Sequence, residues 1–178
     1  MVNALVPVTT QKDSTLLASA GEDPAILLWD PTTASIIGEL STADVRSFSA
    51  LAVVPILNGE TWLAAGSADG SVSLWDMHSL RLVASLATSG DAVLSMATAP
   101  LSSGRHLLAI ASTDGAVRLW DAAEARVLRT IRLPFDQHAQ KLITIGARLA
   151  MCTDIGVMSC EIDIAMPGVL PTYLPTES

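Results

Sequence analysis

Three hexapeptides in this chain of 178 residues end alike: AILLWD at 25–30, SVSLWD at 71–76 and AVRLWD at 116–121. The pairs Trp29–Asp30, Trp75–Asp76 and Trp120–Asp121 stand 46 and 45 residues apart. A fixed period of this size marks a repeat architecture, in which each copy is one supersecondary unit that buries its faces on its neighbours. That excludes most single-core folds at once. It also bears on function, because stacked repeats chiefly present extended binding surfaces.

The repeat extends well beyond the Trp-Asp pairs. An aspartate heads each unit at Asp23, Asp69, Asp114 and Asp154. Three residues later stands Ile26, Val72, Val117 or Val157; six later, Trp29, Trp75, Trp120 or Cys160; seven later, Asp30, Asp76, Asp121 or Glu161. Upstream lies Leu17–Ala18, Leu63–Ala64, Leu108–Ala109 and, one residue closer to its aspartate, Leu149–Ala150. There are three clear copies and one worn one. Within the second, Leu51–Val54 is an apolar run stopped by Pro55, Asn58-Gly59 makes a turn, and Trp62–Ala65 is a second strand. Asp69-Gly70 turns the chain again. Ser71–Trp75 alternates polar and apolar, as a strand with one buried face does, and Leu80–Leu86 makes a fourth strand. Four strands in about 45 residues is the content of one propeller blade.

On these residues the chain resembles the WD-repeat β-propeller family, through its Trp-Asp endings and the Asp-Gly turns at Asp69–Gly70 and Asp114–Gly115. The resemblance implies an all-β fold of four-stranded antiparallel blades, three complete and a fourth partial, in an incomplete ring. The arc is expected over 1–164, with blades near 2–40, 45–86, 92–132 and 140–162. Residues 165–178 read as a Pro-rich tail without strand, because proline cannot donate to a ladder. The family's usual Gly-His start is missing: Ser41 and Ser89 fill the expected histidine positions. The hydroxyl on the second strand survives only as Ser19, with Ala65, Ile110 and Met151 elsewhere. The blades should therefore be held mainly by Leu, Val, Ala and Trp packing rather than by the family's buried polar network.

Half of the residues are hydrophobic and 16% are charged, which excludes disorder. The net charge is −8, and seven of the twelve aspartates belong to the repeat. An acidic chain of this kind lacks the basic face that nucleic acid requires. No basic and apolar leader and no long apolar stretch appear, so a cytoplasmic protein without membrane contact is expected. Lysine occurs only at Lys12 and Lys141, a composition that resembles proteins of GC-rich bacterial genomes such as actinomycetes. Cys152 and Cys160 should not face each other and read as reduced thiols rather than a disulfide or metal pair.

Family members most often carry seven or eight blades, and about four are present here. The missing outer strand suggests the C-terminal blades of a larger ring. If each end blade exposes roughly 400 Å² of apolar face, at ~25 cal/mol/Å² the lost burial is ~10 kcal/mol per end. Something should cover the ends. A second copy in a head-to-tail ring of about eight blades, a separate protein, or further sequence upstream would each serve.

No catalytic constellation stands out. His78, His106 and His138 are scattered, and no metal-ligand spacing, phosphate loop or nucleophile elbow occurs. No enzyme activity, cofactor or metal is expected. The first strands of the units are apolar or hydroxylic, against channel chemistry. The resemblance implies a protein partner on one rim, built from the loops before the turn aspartates and those entering each first strand. Candidate contacts are Glu22, Arg46, Asp91 and Thr113, with Ala68 and Ala92 beside them. Arg46 leads because arginine is enriched in interface hot spots. Asp23, Trp29, Asp30, Asp69, Trp75, Asp76, Asp114, Trp120, Asp121 and Asp154 read as structural. Phe48 reads as core rather than rim. The expected role is a non-catalytic interaction scaffold or sensor; the alternatives are a truncated fragment of a larger WD-repeat signalling protein and, last, a propeller enzyme.

Overall fold

The computed structural model describes residues 1–10, 14–43, 45–56, 59–87, 90–101, 103–134, 137–146, 148–162 and 172–174. They form four antiparallel sheets of four strands each. Blade 1 comprises β1 (Val2–Thr9), β2 (Thr15–Gly21), β3 (Ala25–Asp30) and β4 (Ser35–Ser41). Blade 2 comprises β5 (Phe48–Pro55), β6 (Thr61–Ser67), β7 (Ser71–Asp76) and β8 (Arg81–Ala87). Blade 3 comprises β9 (Val93–Pro100), β10 (His106–Ser112), β11 (Ala116–Asp121) and β12 (Arg126–Arg132). Blade 4 comprises β13 (Lys141–Ile145), β14 (Arg148–Thr153), β15 (Gly156–Glu161) and β16 (Thr172–Leu174).

Strand order follows chain order in every blade, so each is a meander. The first strands β1, β5, β9 and β13 neighbour one another in sequence, and the arc is not closed. The fourth blade departs from the sequence reading in one respect. Residues 165–178 were expected to lie outside the blades, yet Thr172–Leu174 pair with β15, Val157 opposite Leu174. An outer edge strand needs hydrogen bonds on one side only, so a short segment between Pro171 and Pro175 suffices there. Among the described residues its outer strand holds three, against seven in β4, β8 and β12.

Alternation along each strand gives every blade two flanks. One flank packs forward on the next blade, the other backward on the preceding one. Blade 1 sends Ala18, Ala20, Ile26, Leu28 and Leu40 into a cluster with Leu51, Leu63, Ala65, Trp75 and Met77 of blade 2. Blade 2 sends Ala64, Val72, Leu74 and Leu86 against Met96, Leu108, Ile110, Trp120 and Ala122 of blade 3. Blade 3 sends Ala109, Ala111, Val117, Leu119 and Ile131 against Leu142, Leu149, Met151, Cys160 and Ile162 of blade 4. The worn repeat has thus kept its packing role, with Cys160 occupying the place of the tryptophans.

Phe48 is fully buried and meets Trp75 edge-on, ring centroids 5.8 Å apart at 76°. Its place is therefore core. Cys152 pairs with Val157 and Cys160 with Leu149 across the β14–β15 ladder, and both thiols are free. Burial pushes the Cys160 thiol up from its ordinary value.

Hydroxyl and amide side chains on the inner strands fasten adjacent blades. Asn3 Nδ2 donates to the Phe48 carbonyl at 3.3 Å, and Ser49 Oγ donates to the Val93 carbonyl at 2.5 Å. The Leu142 amide donates to Ser95 Oγ at 3.0 Å, and Thr144 Oγ1 to the Thr98 carbonyl at 2.7 Å. The hydroxylic character of these strands therefore has a structural cause.

Candidate functional site

The turn between the second and third strands of each blade lies beside the segment that enters its first strand, because those two strands are antiparallel neighbours. The predicted rim follows from this. Glu22 is at the first turn, where its amide donates to the Met1 carbonyl at 3.2 Å. Thr113 is at the third, its amide donating to the Ala92 carbonyl at 2.9 Å. Between the blades, an atom in place of the Gly70 hydrogen would fall 2.6 Å from the Asp91 carbonyl oxygen, so the second turn abuts the entry to blade 3. Gly70 has φ 84° and Gly115 φ 72°, a left-handed geometry suited to glycine.

The structure sets Arg46 against the second turn. Arg46, Ser47, Ser67, Ala68 and Asp69 line a surface depression of about 380 Å³. Among the described residues Arg46 has no ion-pair partner, and it is exposed. Asp69 is occupied: it accepts from the Ser67 hydroxyl and, at 2.8 Å, from the Ser71 amide. The Ser67 hydroxyl first, then Ser71, holds its carboxyl below the ordinary range. The depression thus offers one free cation and one satisfied carboxylate. Arg46, Asp91 and Thr113 come onto one continuous rim with Ala68; Glu22 lies on the same edge of blade 1, without a described contact to the other three. Asp44 and Ser89 fall outside the described residues.

The repeat aspartates act as turn ties. Asp30 accepts from the Thr32 amide at 2.8 Å, Asp76 from the His78 amide at 2.7 Å, and Asp121 from the Ala123 amide at 3.1 Å. Each closes the turn leading to the outer strand. Asp121 also pairs with Arg105, which reaches Glu124 at 3.0 Å. Asp114 pairs with Arg118, and that guanidinium is the main reason its carboxyl lies below the usual value. Asp23 is exposed and Asp154 meets Gln140 at 3.4 Å, so the end blades tie their turns less firmly. Trp29 Nε1 donates to Ser19 Oγ at 2.8 Å, whereas Trp120 Nε1 is buried without an acceptor. Ile110 stands where Ser19 does in blade 1. Among the described residues, no group of three or more His, Cys, Asp or Glu is arranged to hold a metal ion.

The sequence reading did not foresee the interblade ties from Asn3, Ser49, Ser95 and Thr144. Their signal was a hydroxyl or amide inside an otherwise apolar first strand.

Comparison with known proteins agrees with this architecture. The family model "WD domain, G-beta repeat" matches residues 37–76 and 80–121. No curated protein matches the sequence. Among solved structures, that of U3-55K superposes with a TM-score of 0.78 at 22% identity, covering 97% of this chain and 51% of its own. The crystal structure of the RRP9 WD40 repeats superposes with a TM-score of 0.74 at 22% identity, covering 89% and 47%. The chain therefore spans about half the length of these solved relatives, and identity at that level speaks to fold alone. Repeat motif, sheet order and neighbours agree: this chain carries WD40 repeats over residues 37–76 and 80–121 and folds as four propeller blades in a ring that is not closed.

Proposed function

We propose that this chain is a non-catalytic interaction module of the cytoplasm. It holds a protein partner on the rim between blades 2 and 3. The observation that carries this reading is the depression beside Arg46: an exposed guanidinium without an ion pair, next to a carboxylate already satisfied by its own turn. A carboxylate or carbonyl-rich segment of a partner suits that arrangement, since arginine makes bidentate, charge-assisted hydrogen bonds. Asp91 and Thr113 extend the contact along the rim. The two free thiols fit a reducing compartment.

The test is capture from lysate by wild type and by Arg46→Ala and Arg46→Glu, all at equal folded concentration. The exposed position leaves folding unchanged. Wild type should retain a partner that Arg46→Ala weakens and Arg46→Glu loses. Equal capture by all three removes the rim reading.

A further inference from the structure

The backward flank of blade 1 has no neighbour, yet it carries the positions that every other blade buries there. Strand register sets the equivalences. Leu5 corresponds to Leu51, Met96 and Leu142, and Leu17 to Leu63, Leu108 and Leu149. Trp29 corresponds to Trp75, Trp120 and Cys160. In blades 2 to 4 each of these residues is at most 7% exposed. In blade 1, Leu5 is 58% exposed and Trp29 lies half-buried. Together with Val2, Leu17, Pro31 and Ala34 they line an apolar groove of about 430 Å³.

The opposite end of the arc holds the complementary pattern. The forward flanks of blades 1, 2 and 3 present Ala18, Ala64 and Ala109 at one position, and Ile26, Val72 and Val117 at another. Blade 4 presents Ala150 and Val157 at those positions, half-buried, and its outer strand places Leu174 at the register of Leu40, Leu86 and Ile131. Ile143, on the same flank, is 49% exposed.

We propose that the Trp29 groove of one chain takes the Ile143–Val157 flank of a second copy, and reciprocally, so that two arcs close a ring of eight blades. The contact repeats the blade 1–2, 2–3 and 3–4 packing already present in the chain. One copy covers about half the length of the two solved neighbours, so two copies match that length. A heterologous contact of this kind makes a ring rather than a filament when its rotation closes, here after two copies. This proposal is independent of the rim reading.

The test is the solution mass by light scattering across the micromolar range. Wild type should give twice the 18.6 kDa of one chain. Leu5→Glu and Ile143→Glu each alter an exposed residue on one flank only, and each should give the single-chain mass with unchanged β circular dichroism. Mixing the two variants should restore the doubled mass, because one intact groove then meets one intact flank. If either glutamate disturbs the fold, Leu5→Ser and Ile143→Ser give the same readout more gently. A monomeric wild type, with the groove left for preceding blades or another protein, overturns the proposal. So does a mass that climbs with concentration past two chains, or a mixture that stays monomeric.

Discussion

At the scale of single residues, the indole nitrogens separate the blades more sharply than the indole rings do. Trp29 Nε1 has Ser19 as acceptor at 2.8 Å, and Trp120 Nε1 has none. A hydrogen bond contributes about 0.5–1.5 kcal/mol net, and the Trp29 bond is only part-buried. Ser19→Ala should therefore lower stability by about 0.5–1 kcal/mol in denaturant titration; a change within experimental error means the bond contributes nothing. A second residue-scale feature lies in the turns to the outer strands. Ala34, Leu80 and Ala125, each four residues after a Trp-Asp aspartate, have φ of 53°, 55° and 50°. A left-handed L-residue costs roughly 1–2 kcal/mol, and glycine loses about 0.5–1 kcal/mol of that advantage through backbone entropy. Ala34→Gly and Ala125→Gly should each raise the thermal midpoint, by an amount equivalent to about 0.5 kcal/mol, and a fall in either midpoint contradicts the strain. The sequence showed Ser19 as the one surviving hydroxyl. It did not show the strained alanines, because alanine carries no turn signal.

At the scale of elements, the strands and their order were legible because period-2 alternation and a turn aspartate recur in all four units, twice as Asp-Gly. The bulges were not. Pairing of third and fourth strands shifts at Leu28/Trp29, Leu74/Trp75 and Leu119/Trp120, leaving Ile37, Val83 and Leu128 as the extra residues. An unpaired residue of this kind raises local twist. Its signal, two adjacent apolar residues such as Ile36-Ile37, looks the same as an ordinary strand. The turn aspartates were legible as turns, and their hydrogen bonds give them a pH signature. Asp30, Asp69, Asp76 and Asp114 all have carboxyls held below the ordinary value, through Thr32, Ser67, the His78 amide and Arg118 respectively. A depressed folded value contributes stability above the unfolded value, lost as pH falls through the folded one. Unfolding free energy should hold level above about pH 5 and fall steadily below about pH 4. Asp69→Asn should flatten that acid limb, as read by denaturant titration at each pH. An unchanged slope would remove Asp69 from the account.

At the scale of the whole molecule, fitting one blade to the next decides the arc. The rim was legible in outline, since turn aspartates mark which loops share an edge. Which described cation stays unpaired there was not, because Arg105 and Arg148 find carboxylates on a neighbouring strand and Arg118 finds Asp114 in the turn before its own. Blade spacing was equally hidden, and one glycine shows why. Gly66 in β6 occupies the position that Ala20, Ala111 and Cys152 hold in the other blades. A methyl group added there would fall 2.5 Å from Val93 Cγ1 and 2.8 Å from Val93 Cβ, on the first strand of blade 3. Both blades are fully packed at this point, with Val93 1% exposed. Gly66→Ala should thus force blades 2 and 3 apart at a cost of about 1–3 kcal/mol, the usual range for overpacking. Trimming the opposing side chain offers a direct check. Val93→Ala removes the Cγ atoms but keeps Cβ, so the double variant should recover part of the loss and no more. The two changes should couple favourably by about 0.5–2 kcal/mol in a double-mutant cycle. Strict additivity would mean that the blades yield at this contact, and that their spacing is set elsewhere.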